Sequence, residues 1–272
     1  MSWIALRITP QSNRDGVIAA LFDSGSQGVQ EDGASVVTHF ADDASVADIE
    51  RAVKEADPAA EISISSSIDV DYSEWHASVG IHRIGSLIIA PPWLADAEDS
   101  ARTIIIDPAM AFGTGEHQST RGVMRLMQNV IRPGDFVADL GAGSAVLSIA
   151  AAKLGATRVA AIELDHDSIG NAEQNVEANG VSEWVDVVEG DAGLLLPLIA
   201  PVRVVLANII SSVIMSLLPV MRAALTVDGK AIIAGIVVDE RPMMERALSE
   251  GGWRIERDDV EDVWWSALIA PR

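Results

Sequence analysis

The hexapeptide Asp139-Leu140-Gly141-Ala142-Gly143-Ser144 joins an apolar run to a stretch of small helix-forming residues. Two glycines at such a strand-to-helix junction have separate uses. Gly141 permits a tight turn, and Gly143 lets a ligand approach the backbone closely. A dinucleotide fingerprint asks for a third small residue at position 146, where this chain has Val146. The departure disfavours a pyrophosphate and suits a smaller nucleoside with an amino-acid tail. A dinucleotide site stays the competing reading.

Three polar residues stand where later strands should end. Glu163 follows Ala160-Ala161-Ile162, and a carboxylate at a second strand's end can accept both hydroxyls of a ribose. Asp191, in Gly190-Asp191, can meet an adenine edge or serve as ordinary turn chemistry. Asn208 closes Leu206-Ala207-Asn208-Ile209-Ile210. A side-chain amide in so apolar a run is costly if it points into the core without partners, whereas the carboxyl end of a central strand faces a ligand crevice. Upstream, Phe112-Gly113-Thr114-Gly115-Glu116-His117-Gln118-Ser119-Thr120 brackets a threonine with glycines ahead of a helix that should begin near Ser119. It reads as a loop able to fold over a ligand, or as a plain glycine turn with a Ser/Thr cap. His117 is one of five histidines, and without cysteines or a paired histidine spacing no metal site is expected.

These residues need a framework, and the pattern from Thr103 onward supplies one. Strands are expected over Phe136–Leu140, Arg158–Leu164, Trp184–Glu189, Val202–Ala207 and Ala231–Val237. Helices are expected over 145–154, stopped by Gly155, and over 167–178, stopped by Gly180. Trp253–Val260 and Val263–Ala270 look like a closing antiparallel pair. The whole reads as a doubly wound α/β sheet. The first 70 residues run strand, helix, strand, strand, helix, strand, with helices over 13–22 and 46–56 and an Asp32-Gly33 turn. That order suggests a small ferredoxin-like α/β domain. Residues 71–100 change character, with Pro91-Pro92 and an acidic Asp96–Asp99, and read as a structured linker. The expected division is therefore 1–70, 71–100 and 101–272.

Composition narrows the function classes. Apolar residues make up 49% of the 272, enough for a buried core, and the absence of cysteine removes disulfides and thiolate chemistry. The start, Met1-Ser2-Trp3-Ile4, lacks the layout of a signal peptide, and Val204–Met221 is too broken by polar residues and Pro219 to span a membrane. A cytoplasmic protein is expected. A net charge of −21 disfavours direct docking on bare nucleic acid. Residues 1–100 carry 17 acidic and 5 basic side chains, which suits capture of a basic protein partner as well as plain solubility.

Ile106-Asp107-Pro108, the run from Phe112 to Thr120, the turn 139–144, the helix Ser148–Ala156 and Ala207-Asn208-Ile209 together resemble the bacterial methyltransferases of large-subunit ribosomal protein L11, the PrmA family. Pro91-Pro92-Trp93, Gly229 and Gly235-Ile236 are also similar to that family. The resemblance covers residues 75 to 272 well, and 1–70 in layout more than in letters. It implies a Rossmann-like methyltransferase domain behind a substrate-recognition domain, S-adenosylmethionine as cofactor, and methylation of lysine and N-terminal amines on a ribosomal protein. By family pattern, cofactor contacts fall on Thr120, Gly141, Glu163 and Asn208. Gly143, Phe112, Thr114 and Asp191 join them as neighbours of the turn, loop and third strand. Asn208 is the expected catalytic residue, its carbonyl oxygen beside the reacting amine and the transferable methyl. Three positions depart from the usual pattern: Ala142 stands for Cys, Ala145 for Gly and Glu163 for Asp. A methyltransferase of another protein lysine or of a small amine, and a catalytically silent cofactor-binding module, are the alternative readings.

Overall fold

A computed structural model describes residues 3–26, 29–41, 44–65, 80–106, 115 and 117–272. The chain divides into two compact units, residues 1–79 and 80–272.

The front unit holds β1 (Trp3–Thr9), α1 (Arg14–Asp23), β2 (Val29–Asp32), β3 (Ser35–Ala41), α2 (Val46–Ala56) and β4 (Glu61–Ser65). Its sheet runs β2-β3-β1-β4 with every pair antiparallel. This is the expected α/β layout; the part of the last strand expected beyond residue 65 lies outside the described residues. Caps set the helix starts: the Asn13 side chain accepts from Gly16 N at 3.1 Å, and Ser45 from Asp48 N at 3.4 Å. Ile49 and Val53, four apart on α2, face a core of Leu6, Ile8, Val17, Leu21, Val36 and Phe40. Asp57 ties the unit together. Its carboxylate accepts from the backbone N–H groups of Gln11, Ser12, Asn13 and Ala59 and from Ser12 Oγ, at 2.8 to 3.2 Å. These bonds, Ser12 N first, hold its carboxyl well below the usual carboxylate range.

The second unit opens with a small sheet of β5 (His82–Ile84), β6 (Leu87–Ala90) and β7 (Thr103–Ile105), with the short α3 (Pro92–Ala95) between the last two. Of the expected linker, residues 71–79 lie outside the described residues, and 82–90 form two of these strands. After α4 (Gln118–Met127) come β8 (Phe136–Leu140), α5 (Val146–Lys153), β9 (Arg158–Glu163), α6 (His166–Ala178), β10 (Val185–Glu189), α7 (Ala192–Ile199), β11 (Val202–Asn208), α8 (Ser211–Ala224), β12 (Leu225–Val237), α9 (Arg241–Glu250), β13 (Trp253–Glu261) and β14 (Trp264–Pro271).

The seven-stranded sheet runs β10-β9-β8-β11-β12-β14-β13. It is parallel from β10 through β12, and β14 inserts antiparallel between β12 and β13. Alternate strand residues feed opposite faces. Val137, Val159 and Val204 pack with Met124, Ile149 and Val176 of α4, α5 and α6. Ala138, Ala160 and Val205 pack with Leu196, Ile214 and Leu248 of α7, α8 and α9. With helices on both faces, the sheet is Rossmann-like. Chain order reverses at β8, so the carboxyl ends of β8 and β11 flank the switch point where such sheets bind ligands.

Candidate active site

A crevice of about 670 Å³ opens at that switch point, lined in part by Gly141, Gly143, Glu163, Asp191, Asn208 and Ile210. Five of those six are expected site residues, brought together from four strand ends. Phe112 and Thr114 lie outside the described residues.

Both turn glycines hold left-handed backbone, φ +72 at Gly141 and +53 at Gly143. Gly141 has a second reason to lack a side chain. A Cβ there would stand 2.4 Å from Ile209 Cγ2, while a Cβ on Gly235 (φ +81) would stand 2.5 Å from Ile209 O. Ile209 thus sits between two glycines on neighbouring strand ends, which fixes the chain immediately after Asn208. Sequence reasoning missed this role; a glycine inside the apolar run 231–237 was the available signal. Ala145, the next turn residue but one after Gly143, also adopts φ +62 and is fully buried.

Glu163 ends β9 at the crevice, and its carboxylate is already partly engaged. Oε2 accepts from Gly143 N at 2.7 Å, and Oε1 from Leu164 N and Asp165 N at 2.8 and 2.9 Å. The carboxylate therefore braces the glycine turn and keeps acceptor capacity mainly on Oε2. Asp191 lines the crevice and also caps α7, accepting from Gly193 N at 2.6 Å. Beneath the turn, Asp139 is 1% exposed. Ser148 Oγ donates to its Oδ2 at 2.7 Å, and Oδ1 has no hydrogen-bond partner among the described residues. Burial pushes the Asp139 carboxyl up to about 7, the Ser148 bond opposes this, and the Glu163 charge adds to it.

Asn208 stands where expected, as the last residue of β11. Its Nδ2 donates to Thr120 Oγ1 at 3.1 Å, an arrangement that leaves Oδ1 for another partner. Thr120 is 3% exposed and does not line the crevice. In this structure its hydroxyl meets the Asn208 amide. The cap of α4 is the His117 ring, with Nδ1 accepting from Ser119 N at 3.3 Å, in place of the expected Ser/Thr cap. His117 also packs edge-on against Trp264, ring centres 4.6 Å apart.

The crevice suits a cationic or neutral nucleoside better than a dinucleotide. Glu163, Asp165 and Asp191 contribute carboxylates, and the described lining includes no lysine or arginine. A dianionic pyrophosphate would meet those charges unpaired, whereas a sulfonium and an ammonium would be attracted. Leu164, Ile210 and Val213 provide apolar wall for a base.

The sequence matches the profile of the family described as ribosomal protein L11 methyltransferase (PrmA) over residues 3–271. The chain belongs to this family. A PrmA-family relative from an Exiguobacterium species, named ribosomal protein L11 methyltransferase, is 42% identical over 188 residues, covering 68% of this chain and 59% of that protein. One of the same name from Pelotomaculum thermopropionicum is 37% identical over 217 residues, 78% of this chain and 69% of its own length. The matched stretch thus spans only about three fifths of the Exiguobacterium relative. The crystal structure of a ribosomal protein L11 methylase from Lactobacillus delbrueckii subsp. bulgaricus superposes with a TM-score of 0.63 at 30% identity, covering 71% of this chain and all of that one. The Rossmann-like methyltransferase fold is therefore shared with the PrmA family. Among the described residues, no helix is long and apolar enough to cross a membrane.

Proposed function

We propose that this chain is an S-adenosylmethionine-dependent protein N-methyltransferase that modifies lysine and N-terminal amines of ribosomal protein L11. The observation that carries the reading is the convergence of the glycine turn, Glu163 and an Asn208 held by Thr120 on one crevice. Family membership over residues 3–271 supports it. A cytoplasmic setting follows from a ribosomal substrate.

When bound, the cofactor supplies a methyl group on a sulfonium that is already a good leaving group. The chain's task is alignment. Gly141 and Gly143 would leave the backbone open to the amino-acid tail, and Glu163 would offer its remaining acceptor capacity to the ribose. Asn208 Oδ1 accepts from the incoming amine while Thr120 holds Nδ2. A neutral amide oxygen orients an uncharged amine without trapping it as an ammonium, as a carboxylate would. Alignment of this kind contributes at most about 7–11 kcal/mol to the barrier. No dedicated general base is invoked; desolvation beside a cationic sulfur favours the neutral amine.

Substrate choice is assigned to the front of the chain. Residues 1–100 carry a net charge of −12, fitted to a basic protein, whereas the described lining of the crevice comes from residues 141–217. The divisions 1–70, 71–100 and 101–272 serve as recognition, connection and chemistry. The deciding experiment is a mass spectrum of purified ribosomal protein L11 after incubation with the enzyme and cofactor. Mass gains in steps of one methyl are expected with the full chain and not with a truncation starting near Asp71, which should still bind the cofactor. Methylation of a small amine or another protein lysine, with L11 untouched, would replace the substrate. Cofactor left intact with every acceptor would favour a silent binding module.

A further inference from the structure

Asn171 and Asn175 on α6 and Asn179 at its C-terminal cap stand four residues apart. Asparagine is a poor helix former, and a buried amide is costly unless its groups are paired. The helix nevertheless buries two of these, Asn171 at 8% and Asn175 at 5% exposure. What they hold accounts for them. Asn175 Nδ2 donates to Ser144 O at 3.0 Å and to Asn171 Oδ1 at 2.9 Å, using both of its hydrogens. One of the two thus lands on the backbone of the crevice's glycine turn.

Asn179 reaches a different segment. Its Oδ1 accepts from Ile105 N at 2.8 Å, and its Nδ2 donates to Ile105 O at 2.7 Å and to Asn175 O at 2.8 Å. The paired bonds to Ile105 imitate a neighbouring strand on the edge of β7 that β6 leaves open. The chain beyond β7 runs on to His117 and Thr120, the partner of Asn208. One helix and its C-terminal cap therefore hold both the glycine turn and β7, the strand that precedes Thr120 in sequence.

We infer that Asn175 and Asn179 are positioning residues for methyl transfer, Asn175 setting the glycine turn for the cofactor and Asn179 setting the strand that leads to Thr120. Asn171 is the acceptor that orients Asn175. The inference rests on the cofactor reading above for its effect on transfer, but the two grips exist without it.

Isosteric substitutions separate the three roles, because Asp keeps an acceptor and loses both donors. Asn171→Asp keeps the oxygen that accepts from Asn175 and should leave cofactor affinity and single-turnover rate within twofold. Asn175→Asp should raise the cofactor dissociation constant about tenfold, with the rate at saturation nearly unchanged. Asn179→Asp should do the reverse, lowering the rate about tenfold at near-normal affinity. A melting temperature that falls for both while affinity and rate stay put would overturn the inference, as would equal losses in both variants. Amide hydrogen exchange on the full-length protein without cofactor gives an independent reading. Asn179→Ala should speed exchange at 103–106 alone, and Asn175→Ala at 141–146 alone. Exchange unchanged in those segments would also overturn it. The selective exchange pattern in a chain that binds no S-adenosylmethionine would overturn only the cofactor reading.

Discussion

In the front unit the carboxylate of Asp57 gathers four backbone donors and a hydroxyl, whereas Asp139 in the second unit has one bond from Ser148 and an oxygen with none among the described residues. The two acids titrate in opposite directions as a result. Asp57 lies below its ordinary range, so the stability it lends is complete above the unfolded value and is lost as the solution becomes acidic. Asp139 is raised, so between about 3.9 and about 7 the folded chain keeps a proton that the unfolded chain has released. Its contribution therefore declines as pH rises through that window and is least above it. One aspartate builds a fold; the other stores unfavourable electrostatics beneath a ligand turn. Such storage is common where a scaffold serves a site.

Asp139 gives the largest effect by which to break this contrast. Replacing it with Asn removes the titration, so the stability of the variant relative to wild type should rise between pH 4 and 8. The gain is roughly 4 kcal/mol, three pH units' worth of proton binding. Denaturant unfolding of both proteins across that range measures it, and a pH-independent difference would contradict the raised carboxyl. Glu163→Ala should weaken cofactor binding by about 1.5–3 kcal/mol, the range for hydrogen bonds to a charged group. Titration calorimetry reads the change; an affinity within twofold of wild type would leave Glu163 only as the brace of its turn. The smallest effect belongs to Ala145. Its left-handed backbone costs about 1–2 kcal/mol for an alanine, and loss of one buried methyl returns about 0.8 kcal/mol of that. Ala145→Gly should stabilise the protein by no more than about 1 kcal/mol in the same unfolding assay, and a clear loss would show that the methyl matters more than the strain.

Much of this was legible in the sequence because the signals were local. Val46–Ala56 emerged at its expected bounds, since a serine cap and apolar residues four apart mark it unambiguously. The turn 139–144, Glu163 and Asn208 could be placed because parallel strands leave polar residues at their carboxyl ends. What stayed hidden was set by tertiary context. Ala192–Ile199 contains Pro197 and is apolar nearly throughout, so it lacks helical periodicity, with Leu194 and Leu198 exposed. The start of β12 was masked by Asp228-Gly229, which reads as a turn yet continues a strand whose register with β11 shifts there. Short β5 and β6 offered no alternation to read. The hydrogen bond between Asn208 and Thr120, 88 residues apart, could not be read from the sequence either. The contacts of Asn175, Asn179 and Gly235 cross long sequence separations, and only Gly235, a glycine inside an apolar run, left a local sign.

The account turns on Asn208 as the residue that presents a neutral oxygen to a neutral amine. Asn208→Asp keeps the shape and changes only the charge and the donor to Thr120. The direct measurement is the single-turnover rate of methyl transfer to ribosomal protein L11 as a function of pH, for this variant beside wild type. A carboxylate there should hold the lysine as ammonium, so the account predicts a lower rate near neutrality and a profile moved to higher pH. A wild-type rate with an unmoved profile would contradict it and leave Asn208 at most a cofactor contact.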